Sequence, residues 1–264
     1  MRPTHLDIRR VQKIYSNDPE PSGWAELRAR LTDYTSKISA QERIPQYERL
    51  VRALEETYTA GVNLQTPEAL STATGLLLQV ETPLELRSIE VALGLPIRLS
   101  SATLGPLKCP TITCGWRLKE QARDGGTPGN GALAWGESVF GVLNPIPGCP
   151  RLVLPFLAAN ITSEPADGRT QKLLRESMCY GACMIANMLE VKNVPEMPDL
   201  VVDSGCIRAL TLTITGRRIM LVAHWAVENG PVPPVYLSRI AKIVAWNGGN
   251  QTIEAAEALG LLIF

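Results

Sequence analysis

Residues 208–230 read RALTLTITGRRIMLVAHWAVENG, and this stretch restricts the fold more than any other. Leu210, Leu212 and Ile214 alternate with Thr211, Thr213 and Thr215, which is the two-residue period of a strand with one apolar and one hydroxylated face. After a tight turn at residues 215–218, Ile219, Leu221, Ala223, Trp225 and Val227 point one way. Met220, Val222, His224 and Ala226 point the other. A strand that is mostly apolar on both faces belongs in the interior of a sheet, so the expected centre of the fold is a hairpin with its second arm fully flanked.

The segments before and after this hairpin differ in character. In the first third, Thr4 caps an expected short helix bearing Leu6, Val11 and Ile14, and the linker SNDPEPSG ends it. Trp24, Leu27, Leu31 and Tyr34 recur at helical spacing, as do Tyr47, Leu50, Val51, Leu54 and Tyr58 between residues 45 and 59. Thr66-Pro67-Glu68 and Thr82-Pro83-Leu84-Glu85 both read as helix starts, with Gly94 as the stop of the second. From Leu95 onward, apolar or alternating runs at residues 97–104, 111–118, 132–143 and 151–158 predict strands, with a glycine-rich loop at 122–131. One long helix is expected over 171–190, a strand over 240–246 and a terminal helix over 253–259. The expected class is α+β: a helical region at 1–94, then a sheet-rich domain at 95–264 whose largely antiparallel sheet carries one long helix. The two regions are also compatible with a single compact unit.

Composition narrows function mostly by exclusion. The chain has 264 residues, equal numbers of acidic and basic side chains, and 45% hydrophobic residues. It is long enough to bury a substantial core, and its zero net charge supplies no global attraction to nucleic acid or anionic membranes. The charged N-terminus MRPTHLDIRRVQKIY lacks the apolar core of a secretory signal, and no run reaches the length of a membrane span. An intracellular protein with six reduced cysteines is therefore expected, and the sequons at Asn160 and Asn250 read as chance matches.

Nucleophilic chemistry needs a thiol of lowered pKa, an imidazole to take its proton and a group to orient the imidazole. Cys179 and Cys183 in ESMCYGACM, His224 in AHWAV and Asn247 in AWNGG stand in that order. In this order the last third of the chain resembles the papain-like cysteine peptidases. The resemblance implies an intracellular cysteine hydrolase with Cys179 or Cys183 as nucleophile, His224 as base and Asn247 as the orienting amide. The chain departs from the family's pattern in two ways: no Gln precedes Cys179 at the oxyanion position, and that cysteine falls within a predicted helix rather than at its start. The competing reading makes Cys179 and Cys183 packed thiols on a helix whose Gly181, Ala182 and Ala186 permit close approach to a neighbour.

The remaining motifs point to partners rather than to catalysis. His5 is the only other histidine, and the pairs Cys109/Cys114 and Cys179/Cys183 lack zinc-knuckle spacing, so no metal and no cofactor is expected. The 122–131 loop lacks the Gly-Lys-Ser/Thr ending of a phosphate-binding loop, and no paired carboxylates suggest acid-base work. Arg217 and Arg218 at the hairpin tip are the candidate contacts to RNA or anionic-lipid phosphates. An apolar sheet, amphipathic helices and no catalytic motif together suggest a non-enzymatic, homo-oligomeric structural protein. Viral matrix or capsid type is the particular form expected, which would place it in a virion.

Overall fold

The computed structural model describes residues 10–14, 18–37, 89–94, 110–117, 146, 148–149, 152–162, 170–192, 205–215, 218–229 and 232–245. In chain order their elements are β1 (Val11–Lys13), α1 (Trp24–Lys37), β2 (Ile89–Leu93), β3 (Ile112–Arg117), β4 (Leu152–Thr162), α2 (Thr170–Lys192), β5 (Ala209–Thr215), β6 (Arg218–Asn229) and β7 (Val232–Ala245). All seven strands join one sheet in the order β1-β7-β6-β5-β4-β3-β2.

The central hairpin forms where the alternation places it. β5 and β6 are antiparallel from Ala209↔His224 to Ile214↔Ile219, and β6 is flanked on its other side by antiparallel β7. Met220 and Val222 pack with Leu174 and Met178 of α2. On the opposite face Leu221, Ala223 and Trp225 are buried as well, which is why β6 is apolar on both sides.

The expected helical first third and largely antiparallel sheet are both overturned. Residues 11–13, assigned by spacing to a helix with Leu6 and Ile14, form β1 parallel to β7, with Val11 opposite Tyr236. Ile14 N–H also donates to the Ser238 carbonyl at 2.9 Å. Residues 89–93, expected inside the helix ending at Gly94, form β2 antiparallel to β3. Ile89, Val91 and Leu93 alternate in sequence, and this two-residue period outweighs the capping signal at Thr82. Helix α1 does form from Trp24. The sheet is mixed because α2 connects β4 to β5 as a crossover, leaving those neighbours parallel from Leu157↔Leu210 to Thr162↔Thr215. The expectations at 45–59, 66–68, 97–104, 122–131, 132–143 and 253–259 lie outside the described residues.

Each sheet face has its own cover. Helix α2 packs against β4, β5 and β6, and its residues 177–189 are buried on every side, as a helix with so few charges requires. Helix α1 lies against the opposite face of β7. There the Arg239 guanidinium stacks 4.6 Å from the Trp24 ring centroid and pairs with Glu20 at 3.6 Å. Lys242 Nζ donates to the Leu31 carbonyl at 3.3 Å.

A bulge marks the β3–β4 junction. The pairing passes from Cys114↔Leu157 directly to Trp116↔Val153, so Leu154, Pro155 and Phe156 all lie opposite Gly115. Pro155 has no N–H for the ladder, and Leu154 adopts φ 46°, a conformation uncommon for a side chain of its size. A Cβ at Gly115 would lie 2.7 Å from both Leu152 Cδ2 and the Val153 carbonyl oxygen. The backbone oxygen has no rotamer by which to escape. Gly115→Ala is therefore expected to cost about 1–3 kcal/mol, read as a lower urea midpoint at unchanged slope.

Candidate functional site: the histidine beneath the long helix

Of the polar residues that sequence singles out, His224 lies buried under α2. His224 is 1% exposed, and hydroxyls occupy both of its ring nitrogens. Nε2 lies 2.7 Å from Thr211 Oγ1 on β5, and Nδ1 lies 2.8 Å from Ser238 Oγ on β7. The strand register produces this clamp: Ser238 is directly opposite His224, and Thr211 is the diagonal neighbour across β5. A second hydroxyl pair, Ser177 Oγ with Thr213 Oγ1 at 2.9 Å, ties the helix to the same face of β5.

Helix α2 lies directly over the imidazole. A Cβ built at Gly181 would be 2.2 Å from His224 Cγ and 2.3 Å from Nδ1, so the helix backbone rests on the ring where only hydrogen fits. Burial pushes the His224 pKa down from 6.5 to about 3. The ring is neutral near pH 7, donating through one nitrogen and accepting through the other, and each hydroxyl supplies the complement.

The same helix phase fixes the cysteines. Cys179 and Cys183 lie two residues before and after Gly181, about 200° around the helix axis. When Gly181 faces the imidazole, both thiols project from the far side of α2. Both are buried. Burial, then the neighbouring Glu176, raises the Cys179 pKa. Burial, then Cys179, raises that of Cys183 well above its ordinary value. These shifts oppose thiolate formation, and the imidazole presents no open nitrogen to accept a proton. As built, the cluster holds β5, β6, β7 and α2 in register.

Other candidate residues are placed elsewhere. Arg218 opens β6 opposite Ala245, while Arg217 and Asn247 lie outside the described residues. No group of three or more His, Cys, Asp or Glu that could hold a metal occurs among the described residues. No described helix is long and apolar enough to cross a membrane. Sequence reading missed Thr211 and Ser238 as partners of His224, and Gly181 as its cover. Only the first had a usable signal, because a turn at 215–218 brings Thr211 diagonal to His224.

Among the described residues, the architecture is that of a mixed sheet with one crossover helix, locked by a buried, hydroxyl-clamped histidine. No protein-family model matches the sequence, and no curated protein matches it significantly.

Proposed function

We propose that this chain is a non-enzymatic structural protein that self-associates, of the kind that builds a coat or matrix layer, with the outer edge of β7 as a contact. The observation that carries the reading is the mismatch in length between β7 and its neighbour. β1 pairs only with Tyr236, Leu237 and Ser238, whereas β7 runs on to Ala245. Among the described residues, no strand ladder covers 240–245 on that side. A strand edge with apolar side chains is a template for another chain, and Ile243 on β7 is 53% exposed. Two further observations support the reading. The polar groups of the candidate site are spent on one another, and zero net charge leaves little long-range repulsion between copies.

Sedimentation velocity over a wide concentration range tests this. The wild-type chain is expected to shift to larger species as concentration rises. Ile243→Lys, at an exposed position where a charge should not disturb the fold, is expected to move that shift to about tenfold higher concentration, about 1.4 kcal/mol per contact. A wild-type protein that remains a single monomer up to its solubility limit would overturn the proposal, as would an Ile243→Lys variant that associates unchanged.

A further inference from the structure

Strand β1 lies on the same edge of β7 that carries the self-association proposed above, and among the described strands it is the shortest. It pairs over three residues, Val11–Lys13, with Tyr236, Leu237 and Ser238, and it runs parallel, the less stable arrangement per residue. Gln12 and Lys13 are exposed. Val11 alone of the three is partly buried, against the clusters that join the sheet to α2. On either side of it the Ile14 N–H donates to the Ser238 carbonyl at 2.9 Å, and the Arg10 guanidinium donates to the Pro233 carbonyl. By contrast, β6 holds the other edge of β7 from Arg218↔Ala245 to Asn229↔Val232. A short strand at the margin of a sheet separates locally at a free energy well below that of global unfolding.

We infer that β1 is a detachable cover that regulates the pairing of β7 with a second copy of this chain. In place, it withholds the main-chain groups of Tyr236–Ser238; on release, it yields them. The inference rests on the β7 contact proposed above and concerns its control. β1 and a second copy compete for the same main-chain atoms, so the two exclude each other at Tyr236–Ser238. Once released, those residues join 240–245 in one continuous edge. That edge ends at Pro233 and Pro234, which have no N–H to give a ladder. Two such edges suit an antiparallel, two-fold pairing of β7 with β7, in which every contact made by one copy is repeated by the other. Gln12 is the position at which to loosen the cover without touching the core, because its side chain is exposed. Alternate N–H groups of a strand point the same way, and that of Ile14 points at Ser238, so the Gln12 N–H points at β7 as well.

The test is sedimentation velocity of the full chain as wild type, as Gln12→Pro and as Gln12→Pro/Ile243→Lys, with circular dichroism to check that each folds. Gln12→Pro deletes the N–H that faces β7 and is expected to move association to about tenfold lower concentration. Adding Ile243→Lys should cancel most of that gain, which separates pairing at the β7 edge from the sticking of an uncovered core. Hydrogen exchange of the dilute wild type supplies a readout that does not depend on any variant folding. The Ile14 amide should exchange at least about a hundredfold faster than the amides bonded between β5 and β6. A wild type that associates while Gln12→Pro does so no more readily overturns the inference and leaves the β7 contact standing. A monomeric wild type with an associating Gln12→Pro overturns the proposed function and supports the cover; monomers throughout overturn both. A gain that survives Ile243→Lys, or an Ile14 amide as slow as those of β5 and β6, also overturns the inference.

Discussion

Gly181→Ala is expected to be among the most damaging single substitutions in this chain, costing about 3 kcal/mol or more. A Cβ there would lie 2.2 Å from His224 Cγ, far inside contact distance, and neither partner has an easy retreat. The imidazole is held at both nitrogens, by Thr211 and by Ser238. The helix is held by burial on all sides from 177 to 189, and by the Ser177–Thr213 hydrogen bond four residues earlier. Relief requires lifting α2 from the sheet, which forfeits dispersion contacts along its length. The measurement is equilibrium urea unfolding of Gly181→Ala, of His224→Ala and of the double variant. If the two residues meet as described, the added methyl is tolerated once the ring is gone, so the double variant should be no less stable than His224→Ala alone. Simple additivity of the two losses would show that Gly181 is required for some other reason.

His224 should also make stability depend on pH in a specific window. Its ordinary pKa of 6.5 falls to about 3 in the folded protein, so the unfolded chain takes up a proton at a pH where the folded one refuses it. Stability is fully present above about pH 6.5. It is lost as pH falls toward 3, with a slope of about 1.4 kcal/mol per pH unit. Across the whole window the loss reaches roughly 4–5 kcal/mol. Carboxylates titrate in the lower part of that range, so the diagnostic quantity is the difference from His224→Gln, whose amide carries no proton to exchange. That variant should be less stable at pH 7 and show a shallower decline between pH 6.5 and 4.5. Parallel slopes for the two proteins would mean that the ring is protonated within the folded state. His5 is the only other histidine, and it is unchanged in the comparison.

Both expectations rest on an arrangement that sequence revealed only in part. The alternation in residues 208–230 contained the hairpin, its register and the burial of β6 on both faces. Register alone places Thr211 diagonal to His224. Which face of β5 receives the helix was not legible, because an apolar face of Leu210, Leu212 and Ile214 is the natural candidate for a core. The structure instead turns Thr211 and Thr213 toward α2, which is possible because His224 and Ser177 satisfy their hydroxyls within the core. The order Cys179, His224, Asn247 invited a catalytic reading for a related reason. Order along a chain carries no information about helix phase, and it is phase that sets Gly181 on the ring and the two thiols away from it.

What the sequence determined by itself was local and periodic: the strands at the centre, helix α1 from Trp24 and the long α2. These follow from the spacing of apolar residues within one element, which solvent exposure of that element alone decides. The tertiary structure decided the rest. It made Val11–Lys13 and Ile89–Leu93 strands, because a short segment's conformation is chosen by the main-chain partner that satisfies its hydrogen bonds, here the edges of β7 and β3. It made β4 and β5 parallel, because the helix between them crosses the sheet. It also determined that His224 is a neutral, buried tie between three strands and a helix, since a side chain's chemistry depends on what surrounds it, and those neighbours are brought together only by folding.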